Sequence, residues 1–384
     1  MIASGLESFL HEPGNQRSEG KVICMTSRNG CSFECILMWY NLHYSHSNRN
    51  PRHTILCADS FYMSEKAMRN LRSVGDVIWA NCRSENELVQ KTRENNPTVI
   101  LSEYFKITSK VMDAASSLRA IVVWGIGYDH VDVNSASERG LYVSNTRGSN
   151  AESVAEHVFA MIFALTRKVM HEDTFVRKGS WKSGLESDLP VEFLAQDLYK
   201  KTLGILGLGA IGSRVARIAH GFDMVVLGHD RYLTEDQVMK IGFQQVPVEE
   251  LLRRSDFVTL HVTLTEETRG IIGSKALSIM KPTAYLINAS RGAVVVEEAL
   301  IGALKDKRIA GAALDVLKKE PIEPEHELLR FDNVILTPHC ASNSREALDA
   351  TSLDLSEEIL RIARDEIPHN LVNRPQLVER GYLK

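Results

Sequence analysis

Short runs of apolar, often β-branched residues recur along the chain from residue 54, and stretches with helical apolar spacing separate them. The first series is TILCAD (54–59), DVIWA (76–80), TVILS (98–102), RAIVVW (119–124) and LYVS (141–144). Runs of this length bounded by polar turns predict strands, and strands alternating with helices predict a parallel sheet covered by helices. The segment AESVAEHVFAMIFALTRK (151–168) then places Val154, Val158, Met161, Ile162 and Leu165 on one helical stripe, with Arg167 and Lys168 at the end that favours cations. It is long enough to bridge two domains. A second strand series follows in TLGIL (202–206), MVVLG (224–228), DFVTLHV (256–262), AYLIN (284–288), AGAALDV (310–316) and NVILTP (333–338). The chain closes with a helical pattern over 345–364 and an extended HNLVNRPQ (369–376).

The first 52 residues lack this rhythm. HEPGNQRSEG and NLHYSHSNRNPRH are polar and turn-rich, so 1–52 reads as an N-terminal extension, unstructured or loosely docked. With 384 residues, 44% of them apolar, the chain exceeds one ordinary core and predicts two domains with a cleft between them. A net charge of −4 from 45 basic and 49 acidic residues, spread without clusters, excludes the basic footprint of a nucleic-acid binder. No apolar run is long enough to span a bilayer and no leader pattern opens the chain, so a cytoplasmic protein is expected. The six cysteines are irregularly spaced and predict free thiols. Cys24, Cys31, Cys35, His43 and His46 lack paired zinc spacing, and no metal is expected.

LGILGLGAIGSRVARIAHGFDMVVLGHD (203–230) carries the strongest local chemistry. Gly207, Gly209 and Gly212 follow a strand and open a helix, and Asp230 ends the next strand. This is the context a dinucleotide-binding turn requires: a tight turn at Gly207, close backbone approach to a pyrophosphate at Gly209, and close helix–sheet packing at Gly212. Asp230 can bond both ribose hydroxyls, which favours NAD over NADP, although Arg231 beside it works the other way. Arg291 in INASRG and His339 in TPHCAS each stand just beyond a predicted strand, and Glu320 in LDVLKKEP follows a third. Ligands of open α/β sheets bind at such positions, so the three can converge on one crevice.

These motifs, with GIGYDHVDV (125–133), SNAESVAEHVFAMIFAL (149–165), ETRGIIG (267–273) and AGAALDV in the same order, resemble the D-isomer-specific 2-hydroxyacid dehydrogenases over about residues 54–373. The resemblance implies two Rossmann-like or flavodoxin-like α/β domains: a substrate domain (53–150, completed by 339–384) and an inserted NAD-binding domain (151–338) through which the chain would form a homodimer. It implies that His339 protonates the carbonyl oxygen of a small 2-oxoacid, that Glu320 holds the ring and favours its imidazolium, and that Arg291 grips the substrate carboxylate. Backbone N–H groups of Trp124, Gly125, Ile126 and Gly127 would hold the carboxylate's other side, with Tyr104 on the pocket wall. Asp315 would bond the nicotinamide amide, and Ala210, Ile211, Thr263, Ala289 and Ser290 fall where the family contacts its cofactor.

Departures qualify the picture. Ser102, Glu103 and Tyr104 stand where phosphate-handling members carry arginines, which argues against a phosphorylated substrate. Asn150 matches an asparagine of formate dehydrogenases, making formate or phosphite oxidation an alternative, but Glu320 stands where that branch has glutamine. Transcriptional corepressors also resemble this family, so an NAD-sensing interaction protein using residues 1–52 is the alternative from another class. His157 reads as a helix-face residue, Cys340 as a bystander, and Trp181 as a packed side chain in a polar loop.

Overall fold

The computed structural model describes residues 53–182, 190–240 and 243–383. The predicted extension, with its cysteines and histidines, lies outside these residues. The first strand series forms β1 (His53–Cys57), β2 (Gly75–Trp79), β3 (Val99–Ser102), β4 (Ala120–Val123) and β5 (Tyr142–Asn145). The second forms β6 (Thr202–Leu206), β7 (Val225–His229), β8 (Gln244–Gln245), β9 (Phe257–Leu260), β10 (Tyr285–Asn288), β11 (Gly311–Leu314) and β12 (Val334–Leu336). Every position of β3, β4, β9 and β10 is buried. Strands covered on both faces read as continuous apolar runs, which is why they are visible in the sequence. β8 is a pair of glutamines with no such signature.

The strands assemble into two parallel sheets, one of five strands in the order β2-β1-β3-β4-β5 and one of seven in the order β12-β11-β10-β9-β6-β7-β8. Strand order reverses between β1 and β3 in one sheet and between β6 and β9 in the other. Crossovers leave on opposite faces at such points, so a crevice opens beyond the carboxyl ends of the strands.

Five helices position the site: α1 (Glu65–Val74), α2 (Ala151–Arg167), α3 (Val169–Arg177), α4 (Ala210–Gly221) and α5 (Arg345–Ala363). α2 leaves the first sheet after β5 and buries the predicted stripe against the second, where Val158, Met161 and Ile162 share a core with Leu203, Val215 and Phe257. α5 runs back and packs on α1, with Tyr62 donating to Asp349 at 2.7 Å and Asn70 to Ser356 at 2.9 Å.

Two expectations need correction. Residues 369–376 are not extended throughout: Leu371 bridges Ser144, and a short helix, Arg374–Glu379, begins with Pro375 in its first turn. Six residues are too few to show a helical period, and Arg-Pro reads as a turn. Trp181 is not packed but 59% exposed.

Glu358 of α5 is fully buried and ties this tail to the sheet. Its carboxylate accepts from the Ser144 hydroxyl of β5 and from the N–H groups of His369 and Asn370, both at 3.1 Å. Removing the acceptor strands the buried Ser144 hydroxyl, at a cost of about 1–3 kcal/mol, and leaves two part-buried N–H groups without their partner. Glu358→Ala is therefore expected to lower unfolding free energy by about 2–4 kcal/mol in urea titrations; a loss below about 0.5 kcal/mol would show that the tail is held elsewhere.

Candidate active site

The turn between β6 and α4 is shaped by its glycines. Gly207 has φ +91°, and a Cβ there would lie 2.6 Å from the His261 carbonyl oxygen; a Cβ on Gly212 would lie 2.0 Å from the Gly207 carbonyl oxygen. Beside Gly209 the space is open, and α4 starts at Ala210 without a side-chain cap. The unsatisfied N–H groups and positive end of the helix dipole are left for an anion. At the end of β7, Asp230 accepts from the N–H of Leu208 (2.9 Å) and of Tyr232 (2.8 Å), one on each oxygen. A carboxylate keeps lone pairs to spare for hydroxyls. Arg231 is drawn to Glu267 and lies over the Tyr232 ring. This is a cradle that fits the pyrophosphate and ribose of a dinucleotide.

Arg291, Glu320 and His339 follow β10, β11 and β12, three adjacent strands, and the structure brings them together. His339 Nδ1 lies 2.7 Å from Glu320 Oε2, while Glu320 Oε1 accepts from the Leu317 N–H at 2.8 Å. Burial works against the Glu320 charge, but the ring and the N–H outweigh it and hold the carboxyl below the usual carboxylate range. The bond fixes which imidazole nitrogen remains for a ligand: Nε2.

His339 has φ +52°, a left-handed conformation that costs a residue with a Cβ free energy. Asp315 holds it there. The Asp315 carbonyl accepts the His339 N–H at 2.8 Å, and its buried carboxylate accepts from the Thr337 hydroxyl (2.6 Å) and from the N–H groups of Cys340 and Ala341 (both 2.9 Å). His157 completes this cluster. Its Nε2 sits 3.1 Å from the Thr337 hydroxyl and 3.7 Å from the Asp315 carboxylate, so it is more than a residue of a helix face. Cys340 gives its N–H to Asp315, and its thiol, raised by burial and then by the Asp315 charge, lies beside the same carboxylate.

The opposite wall comes from the first sheet. Beyond β4, Gly125 (φ +100°) donates to the Thr146 hydroxyl at 2.7 Å, and the Ile126 carbonyl accepts from Asn145 at 2.7 Å. Trp124 is buried in a stack on Phe61, so it forms a floor. Arg291 crosses to this wall and donates through Nε to Asp129 at 2.8 Å. Burial raises the Asp129 carboxyl, and the guanidinium more than offsets this, keeping it below its ordinary value. Gly127 makes the crossing possible, since a Cβ there would lie 1.5 Å from Arg291 Nη2. Tyr104 packs edge-on against the His339 ring, centroids 5.4 Å apart.

Ile211, Thr263, Ala289 and Ser290 line the same cleft, whereas Gly207, Gly209, Ala210 and Gly212 belong to the β6–α4 turn and Asp230 to the end of β7. Ser290 is turned inward, both its N–H and hydroxyl donating to Asn288 Oδ1. On the cleft wall, Asn150 Oδ1 and His261 Nδ1 are buried without hydrogen-bond partners among the described residues, as a wall completed by a ligand would be. Burial lowers the His261 imidazole to about 3, so the wall is neutral there. Asp129 was not visible as a site residue in the sequence; its one signal is an acid directly after the glycine-rich loop in GIGYDHVDV.

The family model for D-isomer specific 2-hydroxyacid dehydrogenase, NAD binding domain, matches residues 159–341. A glyoxylate reductase of Korarchaeum cryptofilum is 46% identical over 268 residues, 70% of this chain and 80% of that protein. One from Thermococcus litoralis is 42% identical over 290 residues, 76% of this chain and 87% of that protein. Among solved structures, an NADPH-dependent glyoxylate/hydroxypyruvate reductase from Sinorhizobium meliloti, in complex with NADP and malonate, superposes with a TM-score of 0.74 at 29% identity, covering 85% of this chain and 98% of the other. The chain belongs to the D-isomer-specific 2-hydroxyacid dehydrogenase family. It is an oxidoreductase that uses a nicotinamide cofactor on the CH–OH group of a 2-hydroxyacid or the matching oxoacid.

A Cβ at position 127 meets the far end of a flexible side chain and leaves the fold intact, yet it evicts the Arg291 guanidinium. Gly127→Ala is expected to lower kcat/KM for oxoacid reduction by about 100-fold with Tm nearly unchanged. Near wild-type kcat/KM would mean that Arg291 does not need this position.

Proposed function

We propose that the chain reduces a small 2-oxoacid of the glyoxylate or hydroxypyruvate type to its D-2-hydroxyacid, using NADH. The observation that carries this reading is the Glu320–His339 bond facing Arg291 across one cleft. Reduced nicotinamide, when bound in the cradle at β6 and α4, supplies the hydride. Asp129 and the Ser290 carbonyl fix Nε and Nη1 of Arg291, and Nη2 lies against Gly127, so the guanidinium is held in one orientation from which to grip a carboxylate. The N–H groups of Ile126 and Gly127 take the carboxylate's other side. His339 Nε2 then gives its proton to the carbonyl oxygen, and Glu320 stabilises the imidazolium that precedes the transfer. Asp315, with its carboxylate committed to the loop, acts mainly by holding that loop, and has fewer lone pairs left for a nicotinamide amide than the family resemblance implies.

Asp230, with Arg231 paired to Glu267, supports NAD over NADP: the adjacent cation that would welcome a 2′-phosphate is engaged elsewhere. The described cysteines, Cys57, Cys82 and Cys340, are free thiols, which supports a reducing, cytoplasmic setting. We further propose a homodimer through α3 and the segment after it. α3 buries none of its residues, and Val169, Met170, Val176, Val191 and Leu194 are each at least half exposed. Phe193 packs on Phe175, presenting this apolar surface as one piece. A contiguous patch of that kind marks an interface.

Two experiments test these readings. Purified protein assayed with glyoxylate and hydroxypyruvate should turn over with NADH in preference to NADPH, and His339→Ala should cut kcat by about 100- to 10,000-fold while NADH fluorescence still reports binding. Failure to reduce any oxoacid with either cofactor sinks the assignment. In sedimentation equilibrium the wild type should run as two chains and a Val191→Glu, Leu194→Glu variant as one; a dimeric variant refutes the proposed interface.

A further inference from the structure

The cleft holds a carboxyl group that the reaction does not use. Glu103 follows β3, where strand order reverses in the first sheet, and it lines the same cleft as Arg291 and His339. Its position is fixed by a second acid. Asp59, just past β1, gathers onto one oxygen the N–H groups of Glu103 (2.7 Å), Tyr104 (3.3 Å) and Phe105 (3.2 Å) and the Ser102 hydroxyl (3.0 Å). Four donors on one carboxylate oxygen leave this loop little freedom to swing Glu103 away.

We propose, building on the function inferred above, that Glu103 sets the charge specificity of the cleft: ionised, it rejects oxoacids whose tail carries a second negative charge, and protonated, it admits them. Arg291 answers the one carboxylate every 2-oxoacid has. The cation has no second fork for another, and the wall opposite it is acidic. Burial first, then the Asp59 charge, push the Glu103 carboxyl up to about 7, against the pull of the Tyr104 hydroxyl and the His339 ring. Asp59 and His339 are the charged groups that act on Glu103, and Arg291 and Glu320 act on Tyr104 beside it. The selectivity therefore changes across neutral pH.

The test uses three 2-oxoacids built on a five-carbon chain that differ in tail charge: neutral 2-oxopentanoate, anionic 2-oxoglutarate and cationic 5-guanidino-2-oxopentanoate. For an acid that is not turned over, its inhibition constant against glyoxylate replaces kcat/KM. In the wild type, preference for the neutral over the anionic tail should rise about ten-fold or more from pH 6 to pH 8, and the cationic tail should gain over the same range. Glu103→Gln should flatten both trends. A flat wild-type ratio, an anionic acid excluded equally at both pH values, or an unchanged pH response in the variant overturns the proposal. A stability measurement needs no turnover. Because the folded carboxyl titrates above its unfolded value, its contribution is fully present at low pH and lost as pH rises through about 7. Glu103→Gln should thus raise Tm relative to wild type at pH 8 but not at pH 5, and the absence of that gap counts against the assignment. If glyoxylate itself is not reduced, it is the functional reading that fails; if glyoxylate is reduced and the tail charges make no difference, only the specificity role fails.

Discussion

One carboxylate organises the catalytic end of this molecule. Asp315 sits at the end of β11, buried to 2% exposure, and three donors from the neighbouring loop close on it. A buried charge is tolerated only when hydrogen-bonded, and the loop meets that requirement by folding around it. The same closure forces His339 into its left-handed backbone and turns the ring toward Glu320. The position of His339 is therefore set by the desolvation cost of a neighbouring carboxylate. His157, reaching from α2, ties the cluster to the helix that links the two sheets.

Charge across the cleft follows the same economy of position. The second sheet brings Arg291 and His339; the first brings Asp129, Glu103 and, behind them, Asp59. Arg291 and Asp129 bridge the two walls directly, and each sheet supplies what the other lacks. The bridge takes one edge of the guanidinium, at Nε. Gly127 is small because Arg291 lies where its side chain would be.

Much of this was legible in the sequence, for a physical reason. Parallel strands covered on both faces are continuous apolar runs, so β3, β4, β9 and β10 stand out, and a dinucleotide turn needs glycines at fixed spacing, so Gly207, Gly209 and Gly212 do too. What escaped was written in single polar residues whose meaning depends on where distant segments meet. Asp129 is an ordinary surface acid until Arg291 crosses to it over 162 positions. Asp59 looks like the end of a strand until three N–H groups arrive from the loop after β3. His157 looks like a helix-face residue because its partner, Thr337, lies 180 positions away. The short helix at Arg374–Glu379 fails for another reason: it is shorter than two turns, below the length at which periodicity can be read.

The two acids of the first sheet, Asp59 and Glu103, differ in a way that composition cannot express. Asp59 spends its charge on donors and so behaves as structure. Glu103 has the phenol of Tyr104 and the distant pull of His339, and burial dominates. Donors occupy Asp59, whereas burial raises the carboxyl of Glu103 on the cleft wall. The two carboxylates are thus set apart by the donors that Asp59 receives and by the burial that Glu103 undergoes beside it.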